Sequence, residues 1–250
     1  MKHLSLFSLL FTASALVCFN LQGLASIIQS TSRLAGFSVD SSHYIYLESA
    51  RNPLTQVPTA KIQIINLETN SCVRNGCLET DYDNSSSNLT NKNAEDDLIK
   101  KTIKIIRELR LNQLKIGIRL PMIARSVDPD GIEQFKFFIN HQTEPIEIRL
   151  EQKYIPSILS GGTSDIDRAS MQLVINYNYR KLTLGKLDQY RDTVRKYAIK
   201  EVRLSPNQRH VVVLIDMYQA TYNASLKTTL VQTFPLLIAD KKSGLKTPFM

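Results

Sequence analysis

The strongest constraint on the fold of this 250-residue chain is an alternation of apolar and polar residues in its second half. In residues 145–154, PIEIRLEQKY, the apolar side chains of Ile146, Ile148 and Leu150 alternate with charged ones. A period of two puts the apolar side chains on one face of an extended strand. Similar segments surround it, and the connections NHQTE and NYRK indicate hairpins. The pattern predicts a mainly β (α+β) protein built from antiparallel sheets.

A turn followed by an apolar strand occurs twice, as GFSVDSSHYIYLES (residues 36–49) and as RLSPNQRHVVVLID (residues 203–216). Asp and Asn side chains in such turns bond to amides of their own turn. The repeat predicts two similar antiparallel units that pack or pair with each other; the alternative is a chance resemblance. The copies align at four pairs of positions: Phe37 with Leu204, Ser38 with Ser205, Asp40 with Asn207, and His43 with His210.

The first of these strands has two different apolar faces. Tyr44 and Tyr46 lie on one face, and Ile45 and Leu47 lie on the other. This alternation predicts a strand that is covered on both sides.

The first 25 residues have the layout of a secretory signal peptide. A basic start precedes an apolar run from Leu4 to about Phe19, and Gly23 and Ala25 supply small residues. The run is shorter than the roughly 20 residues that span a bilayer. We therefore predict cleavage near Ala25, one mature domain over residues 26–250, and a periplasmic or secreted location. A retained membrane anchor and lipidation at Cys18 are the alternatives.

Cys72 and Cys77 are the cysteines that remain after this cleavage. An even count in an exported chain predicts a disulfide bond between them. The intervening Asn75-Gly76 pair accepts the positive φ of a tight hairpin turn. Half of a zinc site is the alternative, but it needs a second ligand pair, and the sequence has none with ligand spacing.

Residues 79–97 contain few large apolar side chains and are predicted to form an exposed loop. A long amphipathic helix is predicted over residues 93–111, with Asn93 as its N-cap. This helix could lie on a membrane or cover a sheet, and the strands on both sides favour the sheet. Its polar face carries a run of basic residues: Lys100, Lys101, Lys104, Arg107 and Arg110.

Three histidines follow the signal peptide: His43, His141 and His210. His43 and His210 occupy equivalent positions in the repeat, so they could form a pair that binds a metal or senses pH. The favoured hypothesis is that the two histidines pack in the same way because their positions in the repeat are the same. The chain contains no Gly-x-Ser-x-Gly, His-Glu-x-x-His or Walker motif. We therefore predict no catalytic residue, no cofactor and no metal site.

Taken in order, the export signal, GFSVDSSHYIYLE, IQIINLETN, the acidic loop with its helix, IEIRLEQ and VRLSPNQRHVVVLID resemble an uncharacterised bacterial family of predicted secreted proteins, a domain of unknown function. The repeated turns resemble the Ser-Pro-Asp-Gly turns of propeller blades, which implies two blade-like strand units. The chain departs from that motif at Val39, Ser41, Asn207 and Gln208. The resemblance implies export and no specific activity.

The expected function is non-enzymatic binding or association with the cell envelope; the alternative is a periplasmic hydrolase acting on envelope glycans or peptides. The net charge of +8, outside the cytoplasm, favours envelope lipids and glycans over nucleic acid as polyanionic partners. We expect an unknown envelope component or protein as partner, with weak attraction to anionic surfaces through the basic helix. A second basic stretch runs from Arg180 to Arg203 and is predicted to be a solvated face.

Overall fold

The computed structural model describes residues 26–52, 54–127, 132–139, 145–157, 166–221 and 224–236. The predicted signal peptide lies outside these residues. The described residues form 14 strands, one 3-10 helix (Asn84–Asn88) and one α-helix, α1 (Asn91–Glu108). In chain order the strands are β1 (Ser26–Gln29), β2 (Thr31–Phe37), β3 (His43–Arg51), β4 (Pro58–Asn66), β5 (Ser71–Glu79), β6 (Ile118–Arg119), β7 (Ala124–Val127), β8 (Glu133–Phe137), β9 (Ile146–Pro156), β10 (Ile166–Tyr177), β11 (Arg180–Asp192), β12 (Val194–Leu204), β13 (His210–Ala220) and β14 (Ala224–Pro235).

These strands form three sheets. The N-terminal sheet has the order β2-β3-β4-β5, the central sheet β1-β14-β13-β12-β6, and the outer sheet β11-β10-β9-β8-β7. Strand β1 runs parallel to β14, and the other neighbouring strands pair antiparallel. The prediction of a mainly β protein with antiparallel sheets is confirmed.

The layers stack in the order helix, N-terminal sheet, central sheet and outer sheet. Strand β3 shows why, because its aliphatic face packs with α1 in one core cluster. Its aromatic face, Tyr44 and Tyr46, packs with Val212 and Leu214 of the central sheet. Strand β13 alternates in the same way, since Val211 and Val213 lie in the core shared with the outer sheet. Both strands are covered on both sides, so both of their faces are apolar.

Helix α1 is shorter than predicted, with 18 residues. Thr90, and not Asn93, is its N-cap: the Thr90 hydroxyl accepts from the Asn93 amide, and the Asn93 side chain bonds back to the Thr90 amide. Ala94 and Leu98 are fully buried on the face that packs on the N-terminal sheet. The helix therefore covers this sheet with its apolar stripe.

The connection from β5 to α1 is held by an arginine. Arg51 donates to the carbonyl oxygens of Ser87 at 2.6 Å and Leu89 at 3.0 Å. Tyr82 also hydrogen-bonds Asp97, and burial together with this bond raises the pKa of Tyr82 to about 12.

Residues 91–97 of the predicted loop belong to α1, because the capping box at Thr90 starts the helix earlier.

The two matched turns adopt the same hydrogen-bonded conformation. Ser38 Oγ donates to Asp40 Oδ1 at 2.6 Å, and Ser205 Oγ donates to Asn207 Oδ1 at 2.7 Å. The amides of the two histidines donate to these serine hydroxyls, each at 3.0 Å. The turns are therefore closed by equivalent bonds at equivalent positions.

The fourth residue of each turn has a positive φ, 58° at both Ser41 and Gln208. This is the position that glycine occupies in Ser-Pro-Asp-Gly turns, because glycine adopts positive φ at little cost. The two blade-like units predicted from the repeat are not confirmed. The turns match, but the central sheet collects strands from both ends of the chain and from residues 118–119, whereas the N-terminal sheet is a continuous four-stranded meander.

Cys72 and Cys77 both lie on β5, with their sulfur atoms at the disulfide distance of 2.08 Å. The hairpin turn predicted between them is wrong. Cys72 pairs with Ile65 and Cys77 with Gln63, so residues 73–76 form a bulge opposite a single residue of β4. Asn75 has the expected positive φ of 58°, but the chain continues in the same direction. Strand β5 is a sheet edge, where such a bulge interrupts a flat row of backbone donors.

The free edge of β14 is bonded by side chains of the N-terminal sheet. Strand β1 pairs with β14 only as far as Lys227. Beyond it, Gln63 donates to the Thr229 carbonyl oxygen at 2.7 Å and accepts from the Val231 amide at 3.2 Å. Asn70 Oδ1 accepts from the Thr233 amide at 2.8 Å. These side-chain amides replace the backbone of a further strand, and they join the two sheets.

Candidate functional site

The two histidines of the repeat have different partners. His43 Nδ1 lies 2.7 Å from Ser42 Oγ, and His210 Nε2 lies 3.1 Å from Glu68 Oε2. Burial lowers the pKa of His43, and the charge of Asp40 opposes that shift. His141 lies outside the described residues. The ring of His43 thus bonds within its own turn, whereas the ring of His210 bonds to the turn between β4 and β5, and this geometry favours a packing role for both.

Neither a metal-binding cluster nor a membrane-crossing helix is found among the residues that the structure describes. Within it, no group of three or more His, Cys, Asp or Glu side chains is placed to hold a metal ion. None of the helices described is both long and apolar enough to cross a membrane.

A buried charged cluster joins the N-terminal and central sheets. The Lys200 ammonium donates to Tyr46 Oη at 2.9 Å and to Thr229 Oγ1 at 3.2 Å, and it lies 4.0 Å from Asp216. Burial disfavours its charge, but the hydrogen bond to Tyr46 and the nearby negative charges outweigh burial and raise the pKa of Lys200. Lys227 lies 3.1 Å from the other Asp216 oxygen.

Glu48 extends this cluster. It is 1% exposed, and it accepts from Ser30 Oγ and from the Thr229 amide, both at 2.6 Å. Buried charges are retained when they are paired and hydrogen-bonded, as these are. The cluster therefore stabilises the contact between the N-terminal and central sheets.

The two predicted basic stretches differ in the structure. Lys100, Lys101 and Lys104 are exposed on α1, as on a solvated face. The stretch from Arg180 to Arg203 divides instead, because β11 is exposed whereas Lys200 of β12 turns into the interface. The core residues of β12 follow a period of two that two bulges lengthen to three: Val194, Tyr197, Ile199, Val202 and Leu204.

Residues 115–127, here called the edge strap, cross the edges of all three sheets. Lys115 exchanges two backbone hydrogen bonds with Phe37 of the N-terminal sheet, at 3.0 and 2.9 Å. Strand β6 pairs with β12 of the central sheet, and β7 pairs with β8 of the outer sheet. The edge strap thus adds a short edge to each sheet in turn.

Gly117 and Leu120 fix the edge strap against the three sheets. A Cβ atom at Gly117 would lie 2.3 Å from the Leu204 carbonyl oxygen and from the Phe37 ring, so only glycine fits at this distance. Leu120 is 6% exposed and lies in the core between the central and outer sheets. These contacts turn the intervening side chains toward solvent.

The outward side chains of the edge strap are large and apolar. Ile116 is 82% exposed, Val127 60%, Ile123 55% and Ile118 50%, with Met122 at 38%. Five exposed apolar side chains within 12 consecutive residues form a concentrated apolar surface of the kind that marks interaction sites.

Positive charge accompanies this apolar surface. The edge strap contains Lys115, Arg119 and Arg125 and no acidic residue. Arg119 lies 3.9 Å from Glu201, and Arg125 lies 3.2 Å from Glu133 and over the Phe135 ring at 5.2 Å. Their side chains remain 69% and 50% exposed. The surface is therefore apolar and cationic together.

The sequence alone does not distinguish the edge strap, because an apolar run such as QLKIGIRLPMIA (residues 113–124) is typical of a single strand. Pro121 lacks a backbone donor and ends β6, so the chain crosses to the next sheet before β7 begins. The useful signal was an apolar run without acidic residues that contains both Gly117 and Pro121.

These features define a layered β protein with one α-helix and an exposed apolar edge. A family model described as predicted secreted protein (DUF2259) matches residues 54–233, and the chain belongs to this family of unknown function. The family resemblance drawn from the sequence is confirmed; its propeller-like motifs are not. No curated protein and no solved structure matches the chain.

Proposed function

We propose that the protein is cleaved near Ala25, is exported to the periplasm or beyond, and acts there as a non-enzymatic, envelope-associated protein. Its binding surface is the edge strap, and its partner is an anionic phospholipid membrane. The observation that supports this proposal is the group of exposed apolar side chains flanked by cations, without an acid, on residues 115–127. Membership in a family of predicted secreted proteins supports the export step.

The exposed area is sufficient for reversible binding. Full burial of an aliphatic side chain contributes about 1.5–3 kcal/mol. Scaled by their exposed fractions, the three isoleucines and Val127 contribute about 4–7 kcal/mol. One myristoyl chain binds membranes with similar strength, a binding constant of about 10⁴ M⁻¹.

The basic residues add a salt-dependent attraction. Each Lys or Arg near an anionic surface contributes about 1 kcal/mol. Arg119 and Arg125 contribute less than Lys115, because Glu201 and Glu133 partly neutralise them. The exposed lysines of α1 add a weaker, longer-range attraction, since α1 ends at Glu108, only a few residues before the edge strap.

The hydrolase alternative has less support. Among the residues that the structure describes, the carboxylates with shifted pKa values are Asp40 and Asp83, and hydrogen bonds from hydroxyls and amides of their own turns lower both pKa values. Each therefore caps a turn, whereas a glycosidase needs two carboxylates facing across a cleft.

Vesicle sedimentation tests the proposal. The mature chain, residues 26–250, is mixed with vesicles of phosphatidylglycerol and phosphatidylcholine, or of phosphatidylcholine alone. We expect binding to the anionic vesicles that weakens with added salt. Ile116→Ser with Ile118→Ser removes about 2–4 kcal/mol of apolar contact, so binding should fall by roughly 30- to 800-fold.

The matched control is Leu54→Ser, which removes a 66% exposed apolar side chain outside the edge strap. It should leave vesicle binding unchanged. Equal losses for Leu54→Ser and the isoleucine variant, or absence of sedimentation with anionic vesicles, would contradict the proposal. Charge reversal at Lys100, Lys101 and Lys104 tests the helix separately, and unchanged sedimentation would exclude α1 as an attachment site.

A further inference from the structure

A groove of about 380 Å³ lies on the solvent face of the outer sheet. Its floor is one row of side chains across four adjacent strands, because the register pairs Lys136 with Glu147, Glu147 with Asn176, and Asn176 with Lys181. The residues beside them in sequence, such as Phe137, Ile146 and Ile175, are buried in the core. The floor therefore presents two ammonium groups, a carboxylate and an amide to solvent.

The β10–β11 hairpin forms one wall of this groove. Tyr177, Asn178, Tyr179 and Arg180 all line it. Arg180 is exposed and adds a third cation beside the two floor lysines, against the single acid Glu147. The groove thus carries an excess of two positive charges and one exposed aromatic ring, that of Tyr179, whereas the side chain of Tyr177 packs against the core.

Tyr179 is an unusual residue for its position. Asn178 and Tyr179 both have positive φ, 46° and 57°, as in the type I′ turn that favours Asn-Gly. A bulky residue in the left-handed region is strained, and Tyr179 is also 97% exposed. Residues in such strained conformations cluster at binding sites and other functional sites. The conformation of Tyr179 places an exposed aromatic ring at the rim of the groove, where it can contact a ligand.

We infer that this groove binds an acidic saccharide, a sugar chain that carries uronic acid carboxylates. A guanidinium and two ammonium groups form charge-assisted hydrogen bonds to carboxylates. The Asn176 amide and the Glu147 carboxylate offer a donor and acceptors for sugar hydroxyls. The Tyr179 ring provides a flat apolar surface for the C–H face of a pyranose ring.

This site is separate from the edge strap, since none of the strap residues lines the groove. Saccharide binding therefore goes beyond the proposed membrane contact. The saccharide titration can give a negative result while vesicle binding is still observed, and the reverse. The volume lies within the range of small-molecule sites. The groove opens to solvent, which suits a segment of an extended glycan.

Calorimetric titration of residues 26–250 with trigalacturonate tests the inference. Galactotriose serves as the uncharged comparison ligand, and inorganic phosphate serves as a comparison anion without a sugar. We expect saturable binding of trigalacturonate, weakened by salt, and no binding of galactotriose at equal concentration. Tyr179→Asn keeps a residue that tolerates positive φ and removes the ring. It should raise the dissociation constant about tenfold, as should Lys181→Gln.

The matched controls lie on β11, outside the groove. Lys186→Gln makes the same charge change as Lys181→Gln, and Tyr190→Asn the same change as Tyr179→Asn; both should leave binding unchanged. Equal weakening by the control variants, equal affinity for galactotriose or for phosphate, or absence of trigalacturonate binding would each overturn the inference. Circular dichroism of every variant verifies that the fold is retained.

Discussion

The stability of the protein should depend strongly on Gln63, a polar residue that is 4% exposed between two sheets. Its side-chain amide satisfies two backbone groups of β14, the Thr229 carbonyl and the Val231 amide. Both residues are buried, so neither group has water as a substitute partner. Replacement by leucine keeps a similar volume and removes both hydrogen bonds.

The expected loss follows from the two backbone groups that are left without partners. A buried donor or acceptor without a partner costs about 1–3 kcal/mol. The apolar contacts that leucine gains offset part of this cost, so we expect Gln63→Leu to lower the free energy of unfolding by about 2–4 kcal/mol. For a chain of this length that corresponds to a fall in the melting temperature of roughly 10 °C.

Urea denaturation of residues 26–250, followed by circular dichroism, measures this loss. The control is Gln134→Leu, the same substitution in β8 on the solvent face of the outer sheet. It should change the free energy of unfolding by no more than about 0.5 kcal/mol. If Gln63→Leu is no more destabilising than Gln134→Leu, then the hydrogen bonds from Gln63 to β14 do not contribute to stability.

Three further predictions concern the turns and the disulfide. Hydrogen bonds from Ser38 and Ser42 lower the pKa of Asp40 from its ordinary 3.8 to about 2, so its contribution to stability is present above about pH 4 and is lost as the pH falls toward 2. Asp40→Asn should therefore make the midpoint of urea denaturation depend less on pH over this range. A pH dependence equal to that of the unchanged protein would contradict this prediction. Ser41→Gly should raise the melting temperature, equivalent to about 0.5–1 kcal/mol, because φ there is 58°; a lower melting temperature would show that the serine contributes more than its backbone costs. Cys72→Ser with Cys77→Ser should destabilise by about 2 kcal/mol in urea denaturation, and intact mass with and without reductant should show the bond; two free thiols in exported protein would contradict it.

Local features of the fold were predictable from particular residues. The alternation of Tyr44 to Leu47 indicated a strand with two covered faces, and the structure places a different core cluster on each face. The repeated Ser-x-Asp/Asn turn was also visible, because these short side chains bond to their own backbone. Such signals depend on residues close in sequence.

The candidate surfaces were much less predictable. The edge strap appeared to be one more strand, because an apolar run does not show how many sheets it crosses. The groove depends on the register that aligns Lys136, Glu147, Asn176 and Lys181 across four strands. No short-range pattern contains that register, since it is set by pairing between distant segments.

The sequence by itself determined the class of the fold, the pairs of residues that share a strand face, and the shape of the two matched turns. The tertiary structure alone decided which layer covers each face, that Glu48 and Lys200 both hydrogen-bond Thr229 at the contact between two sheets, and that five apolar residues of the edge strap remain uncovered. The physical reason is that a period of two assigns side chains to faces, whereas the partner of each face depends on packing between segments far apart in the chain.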